Sequence, residues 1–290
     1  MSIRNNEDRL GAKQPDESPP TPPMQAPHAS QSNSSATFSF VVPSEFVELP
    51  SKGKYYPEGH PLHNAEVVEI KHMTAKEEDL LTSRSLLKKG LAINRVLQSI
   101  LVDKNVDVNS LLIGDKNAIL IETRICAYGA DYETTMNCPG CTESSKHRFD
   151  LRELKTKGSV SSAGNITKKG NNFVIELPKT KVKVEVRLLD GKDERFLADS
   201  ISMKRKNNLP DSALTDQFKT FIVSVNGYSD PKSINEFIYK MPASDSRHLR
   251  NAYEAVVPNV DMTQNFICNN CGYEAITEVP LSADFFWPKS

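Results

Sequence analysis

Two short cysteine units constrain this chain most strongly: Cys138-Pro-Gly-Cys141 and Cys268-Asn-Asn-Cys271 hold four of its five cysteines. Two residues between thiolates let both sulfurs face one tetrahedral site, and two such units complete a four-cysteine shell for Zn²⁺. Their separation is unusual. Equivalent cysteines stand 130 residues apart (268 − 138), where a zinc ribbon has roughly 15–20. The chain must leave the site, build something and return, so a metal bound there ties two halves of the molecule together.

A redox C-x-x-C belongs where a strand feeds a helix N-terminus, because the helix end lowers the thiol pKa. Here the flanks alternate as strands do: Tyr-Glu-Thr-Thr-Met and His-Arg-Phe-Asp-Leu around the first unit, Asn-Phe-Ile and Tyr-Glu-Ala-Ile-Thr-Glu-Val around the second. A structural zinc on Cys138, Cys141, Cys268 and Cys271 is therefore favoured over reduced thiols or a disulfide. His147 is an alternative ligand, although an exposed strand histidine is the plainer reading. Gly272 suits the left-handed turn that follows such a knuckle; Thr142, in the matching place, does not. Cys126 falls in an apolar helix and reads as core.

Charge is balanced at 36 basic against 37 acidic residues, which implies no bulk attraction to nucleic acid or anionic membrane. No apolar run approaches the ~18 residues of a membrane span, and the polar N-terminus carries no signal-peptide pattern. Cysteines without an export signal fit a reducing cytoplasm, where paired C-x-x-C units mean metal more often than disulfide. No phosphate-binding glycine loop, G-x-S-x-G elbow or H-E-x-x-H is found. The six histidines are scattered, and Asp245-Ser246-Arg247-His248 reads as a helix start rather than a triad. No enzyme is expected. Lys204-Arg205-Lys206, the one basic run, reads as a helix end on solvated surface.

Along the chain, residues 1–36 are Pro/Ser-rich with almost nothing to bury and read as a disordered tail. An N-terminal α+β half spans 37–154, a linker 155–171, and a C-terminal α+β half 172–290. The first half runs through an extended arm (Leu49 to Tyr56), a strand at 65–71, and a helix opened by a Thr74/Glu77 capping box with Leu80, Leu81, Leu86 and Leu87 inward. A helix at about 92–101 and one capped by Asp115 follow. The second half repeats this plan. Glu69 to Leu81 aligns without gaps on Glu185 to Leu197, placing Thr74 on Asp190 and Glu77 on Asp193. Asp115 and Asp245 each stand 23 residues ahead of a knuckle (138 − 115, 268 − 245). Helix-like stretches lie around 214–225, 234–239 and 245–256. The expected fold is α+β: two related strand–helices–strand halves joined by a split, zinc-ribbon-like four-cysteine site.

Three stretches carry a resemblance. Leu49-Pro-Ser-Lys-Gly-Lys-Tyr-Tyr-Pro, Met73-Thr-Ala-Lys-Glu-Glu-Asp-Leu-Leu-Thr-Ser-Arg-Ser-Leu-Leu-Lys-Lys-Gly, and Leu112-Ile-Gly-Asp-Lys-Asn-Ala-Ile-Leu followed by Cys-Pro-Gly-Cys resemble the baseplate hub-assembly proteins of T-even-type contractile-tailed bacteriophages. The likeness is greatest over about 45–145, thinner through the second half, and does not cover the proline-rich tail. It implies a non-enzymatic role in building the central hub, in the host-cell cytoplasm, by a protein that stays in the virion or leaves as a chaperone. Its partners would be other baseplate hub proteins. Aromatic residues on irregular backbone, Tyr55, Tyr56, Phe285, Phe286 and Trp287, are the candidate partner surface. Two other readings stay open: a zinc-ribbon nucleic-acid-binding module and a cytosolic thiol-disulfide protein.

Overall fold

The first hairpin follows from alternation and a proline stop. In β1 (Ser44–Glu48) Val47 is buried, and in β2 (Val67–Lys71) Val68 and Ile70 are buried; the strands pair antiparallel with Val47 opposite Val68. Leu49 extends the ladder by donating to the Glu66 carbonyl, and Pro50 ends it. This computed structural model describes residues 41–158, 162–163, 165–210, 212–280 and 283–286. The tail expected at 1–36 and Trp287 lie outside them. The described residues from 42 onward group as one unit.

Four helices follow β2: α1 (Ala75–Thr82), α2 (Arg84–Lys88), α3 (Ala92–Ile100) and α4 (Ile113–Tyr128). The Thr74/Glu77 capping box is present, with the Thr74 N–H donating to Glu77 at 3.0 Å. The single leucine-striped helix expected here is instead two, broken by extended Ser83. The break turns Leu87 out to solvent, so it does not join the core. A hairpin, β3 (Asp131–Asn137) and β4 (Ser144–Asp150), carries the first cysteine unit in its turn.

Residues expected to form a linker are largely strand. β5 (Lys155–Lys157) pairs with β11 (Asn259–Asp261). β6 (Ser162–Ala163) and β7 (Ile166–Lys169) lead into β8 (Asn172–Glu176), with Ile166 opposite Ile175. Buried Ile166 is the physical reason: one apolar, β-branched residue with a partner strand beside it suffices in an otherwise polar stretch. The chain continues through β9 (Lys183–Val186), α5 (Gly191–Lys206), α6 (Ala213–Phe221), β10 (Ile222–Val225), α7 (Pro231–Lys240) and α8 (Ala243–Val256). It ends in β11 and the hairpin β12 (Thr263–Ile267)–β13 (Glu274–Glu278), which carries the second cysteine unit. Residues 222–225, expected as helix, are strand because Ile222 and Val225 are buried against β9. The order β10-β9-β8-β7-β6 makes one antiparallel sheet.

The two halves match in strand register. Ile70 bridges Leu101 just after α3, and Val186 pairs with Ile222 just after α6. Glu45–Glu48 pair with Ile70–Val67 as Phe173–Glu176 pair with Val186–Lys183. Both capped helices keep their boxes, Asp190 accepting from the N–H groups of Lys192 and Asp193. The two halves share one hydrophobic cluster.

Asp115 and Asp245 occupy equal places, each the third residue of its helix, α4 or α8, rather than the cap expected for Asp115. Both are fully buried. Each grips the turn after a Leu-Pro pair. Asp115 accepts from the Ser51 N–H (2.9 Å) and hydroxyl (2.6 Å), and Asp245 from the N–H groups of Lys179 and Thr180 (both 3.0 Å) and the Thr180 hydroxyl (2.7 Å). Burial pushes Asp115 up, which its bonds from Ser51 and Tyr56 only partly offset. Burial acts the same way on Asp245, but the Thr180 and Lys179 donors outweigh it and hold this carboxyl below its ordinary value.

A depressed carboxyl contributes stability that is present above the unfolded value near pH 4 and is lost as pH falls through the folded one. Asp245→Asn should therefore cost about 1–3 kcal/mol at neutral pH, with the gap to wild type narrowing below about pH 4. Denaturant melts across pH check this; a gap independent of pH would contradict it.

A split four-cysteine site

Both knuckles are built alike. In the first, the Cys138 N–H donates to the Glu143 carbonyl and the Thr142 N–H to the Cys138 carbonyl; in the second, Cys268 donates to Tyr273 and Gly272 to Cys268. The shared turn requires a left-handed residue, and Gly272 supplies it at φ +70°. Thr142 takes the same conformation at φ +60°, against the sequence expectation. A β-branched residue there is strained, so the closed hydrogen-bond pair and the site itself must hold it.

The hairpins bring four sulfurs together. All lie within 4.8 Å of one another; Cys138 Sγ is 3.7 Å from Cys271 Sγ, and Cys141 Sγ is 3.8 Å from Cys268 Sγ. These separations are far beyond a disulfide bond of about 2.05 Å. They match the edge of a tetrahedron with Zn–S bonds of ~2.3 Å, which is roughly 3.8 Å. Each close pair takes one sulfur from each hairpin. Cys138 and Cys268 are buried, Cys141 half-buried and Cys271 exposed.

Backbone donors face two of the sulfurs. The Gly140 N–H points at Cys138 Sγ (3.3 Å), and N–H groups of Cys271 and Asn270 push Cys268 down to about 6. For Cys271 the Tyr273 N–H works downward, but the sulfurs of Cys141, Cys268 and Cys138 push it up to about 12. Four sulfurs so close cannot all ionise unaided, whereas a dication stabilises every thiolate at once. The donor set and its spacing thus fit a closed zinc shell with no open position for catalysis. Neither knuckle sits at a helix N-terminus, which removes the feature a redox C-x-x-C depends on.

Around the sulfurs, Phe266 forms a small apolar floor with Cys138 and Cys268, and Met136 packs against it. His147 sets its ring against Phe149 and Phe266, at centroid distances of 4.5 and 5.1 Å, so it is a packing residue and not a ligand. The hairpins are also joined to their neighbours by the Tyr132 hydroxyl, which donates to the Pro280 carbonyl (2.9 Å), and by Gln264 Nε2, which donates to the Asp150 carbonyl (2.5 Å). Cys126 lies away from the site, and burial pushes its thiol up to about 12.

The expected partner surface is corrected. Tyr55, Tyr56, Phe285 and Phe286 are buried in the chain's own core. Tyr56 stacks on His60, donates to Asp115 (2.8 Å) and accepts from the Leu112 N–H. Tyr55 packs on Phe173 of β8 and has Lys168 over its ring, bracing the first-half arm against the second half. Phe285 meets Tyr132 edge-on, and its carbonyl accepts from Arg124 Nε (2.7 Å). Buried Arg124, which also donates to the carbonyls of Gly129 and Asp131, was missed in sequence because an arginine on a helix ordinarily reads as surface. The partners of Asp115 and Asp245 were missed too, although the shared Leu-Pro at 49–50 and 177–178 marks them.

A family model described as T4 bacteriophage base plate protein matches residues 42–287. The chain belongs to that family. The match spans both hairpins, so the split site lies inside the family's own frame. No curated protein and no solved structure matches this baseplate chain. No helix among its described residues is long and apolar enough to cross a membrane.

Since Thr142 carries strain that glycine relieves, Thr142→Gly should hold or raise stability, by up to about 1 kcal/mol. Gly272→Thr should lose about 1–2 kcal/mol. Thermal melts compare the pair; a loss on Thr142→Gly would contradict the matched-turn account.

Proposed function

We propose that this baseplate protein is a non-enzymatic component of the central tail hub or of its assembly, acting through contacts with other baseplate proteins. A structural Zn²⁺ on Cys138, Cys141, Cys268 and Cys271 would hold its two halves in fixed relation. The observation that carries the reading is the family match over residues 42–287, with four sulfurs, two from each half, within 4.8 Å of one another. Zinc there would scaffold rather than react, since all four positions belong to protein thiolates. Balanced charge and closed knuckles give the nucleic-acid and thiol-exchange readings no comparable support.

Mass spectrometry of purified particles beside infected-cell lysate separates the two hub roles. A resident protein is found in both, and an assembly factor only in lysate, bound to hub proteins. Absence from every complex with baseplate proteins would contradict the reading. Native mass spectrometry should find one Zn²⁺ per chain. Cys138→Ser should lose it and loosen both hairpins together, while Cys126→Ala leaves metal content unchanged.

A further inference from the structure

The repeat exposes a difference between its halves. In the second, β8 is paired on both edges, by β9 and by β7. In the first, the equivalent strand β1 is paired among the described residues only by β2, the counterpart of β9. Leu49 donates to the Glu66 carbonyl, and His72 donates to the Pro43 carbonyl. Antiparallel alternation then turns the backbone groups of Ser44, Phe46 and Glu48 outward, away from β2. Those residues are exposed, Phe46 at 66 %.

Beside this edge opens a groove of about 340 Å³. Phe46 and Glu48 line one side, Ala118, Ile121 and Ile125 of α4 contribute apolar surface beside Glu122, and Arg152, Leu154 and Thr156 line it from the segment leading into β5. Ala118 and Ile121 are nearly buried already. An unpaired strand edge beside an apolar groove is what strand addition needs: main-chain bonds give affinity, and alternate side chains enter the groove.

The second half shows what covers such an edge, and also why the first half differs. β7 reaches β8 through Gly170-Asn171, with Gly170 at φ +61°. The matching positions before β1 are Val42-Pro43. Val42 is β-branched and precedes proline, and both features disfavour that left-handed conformation. The same two-residue hairpin is therefore disfavoured in the first half. We propose that an extended segment of another baseplate protein, apolar at alternate positions, adds to the outer edge of β1 and seats those side chains in the groove. This deepens the proposed function by naming the docking surface, and it rests on that reading.

The test uses the full-length chain and, as probes, overlapping strand-length peptides covering the baseplate proteins of its own phage. Binding peptides should protect the amides of Phe46 and Glu48 from hydrogen exchange. Phe46→Pro removes an outward-facing N–H without breaking a bond to β2, and Phe46→Lys replaces an exposed apolar side chain on the same edge. Both should weaken binding roughly tenfold or more with metal content and melting temperature unchanged. Phe46→Lys keeps the test decisive if the proline variant fails to fold. The proposal falls if no peptide binds, if binding leaves those amides unprotected, or if Phe46→Lys binds as well as wild type. It also falls if both amides are already protected in the isolated chain, because the edge is then already taken. If the chain still co-purifies with baseplate proteins in any of these cases, the surface is wrong and the hub reading stands.

Discussion

Four sulfurs from two hairpins converge on a space in which any two lie within 4.8 Å. Bare thiolates repel at that distance, and thiols would leave the buried Cys138 and Cys268 with only weak partners. A dication there would remove both problems. It would also close a loop of 130 residues (268 − 138). A covalent link over a loop of that size is worth about 5 kcal/mol in the chain-entropy model. Metal thiolates confine the unfolded chain in the same sense, provided the ion stays bound.

Around this point the two halves use the same devices with different residues. The capping boxes at Thr74 and Asp190 and the buried carboxylates of Asp115 and Asp245 occupy matched places. Their surroundings then diverge. The first half inserts an arm after Leu49-Pro50, whose Tyr55 braces the junction with the second half while Tyr56 donates to Asp115 of its own half. The second half instead spends a short strand, β7, on covering its own hairpin. Duplication followed by local divergence would leave such a pair: one edge satisfied within the chain and its counterpart facing outward.

Much of this was legible in sequence because it depends on local chemistry. The C-x-x-C spacing, the capping boxes and the 23-residue offset of each aspartate from its knuckle are short patterns that survive tertiary packing. The failures share a cause. Tyr55, Tyr56, Phe285 and Phe286 look like surface anchors because they sit on irregular backbone, but their burial depends on distant partners such as Phe173, Asp115 and Arg124. Ile166 and the strand 222–225 likewise depend on neighbours that periodicity does not reveal. Thr142 shows the reverse case. A residue unsuited to its turn is held there by hydrogen bonds between Cys138, Thr142 and Glu143.

Everything turns on one four-sulfur site to which each half of this baseplate protein contributes two cysteines. X-ray absorption at the zinc edge of the purified full-length chain tests it most directly. The predicted first shell is four sulfurs at ~2.3 Å with no nitrogen or oxygen. A shell with fewer than four sulfurs, or one that includes a light-atom ligand, would contradict it.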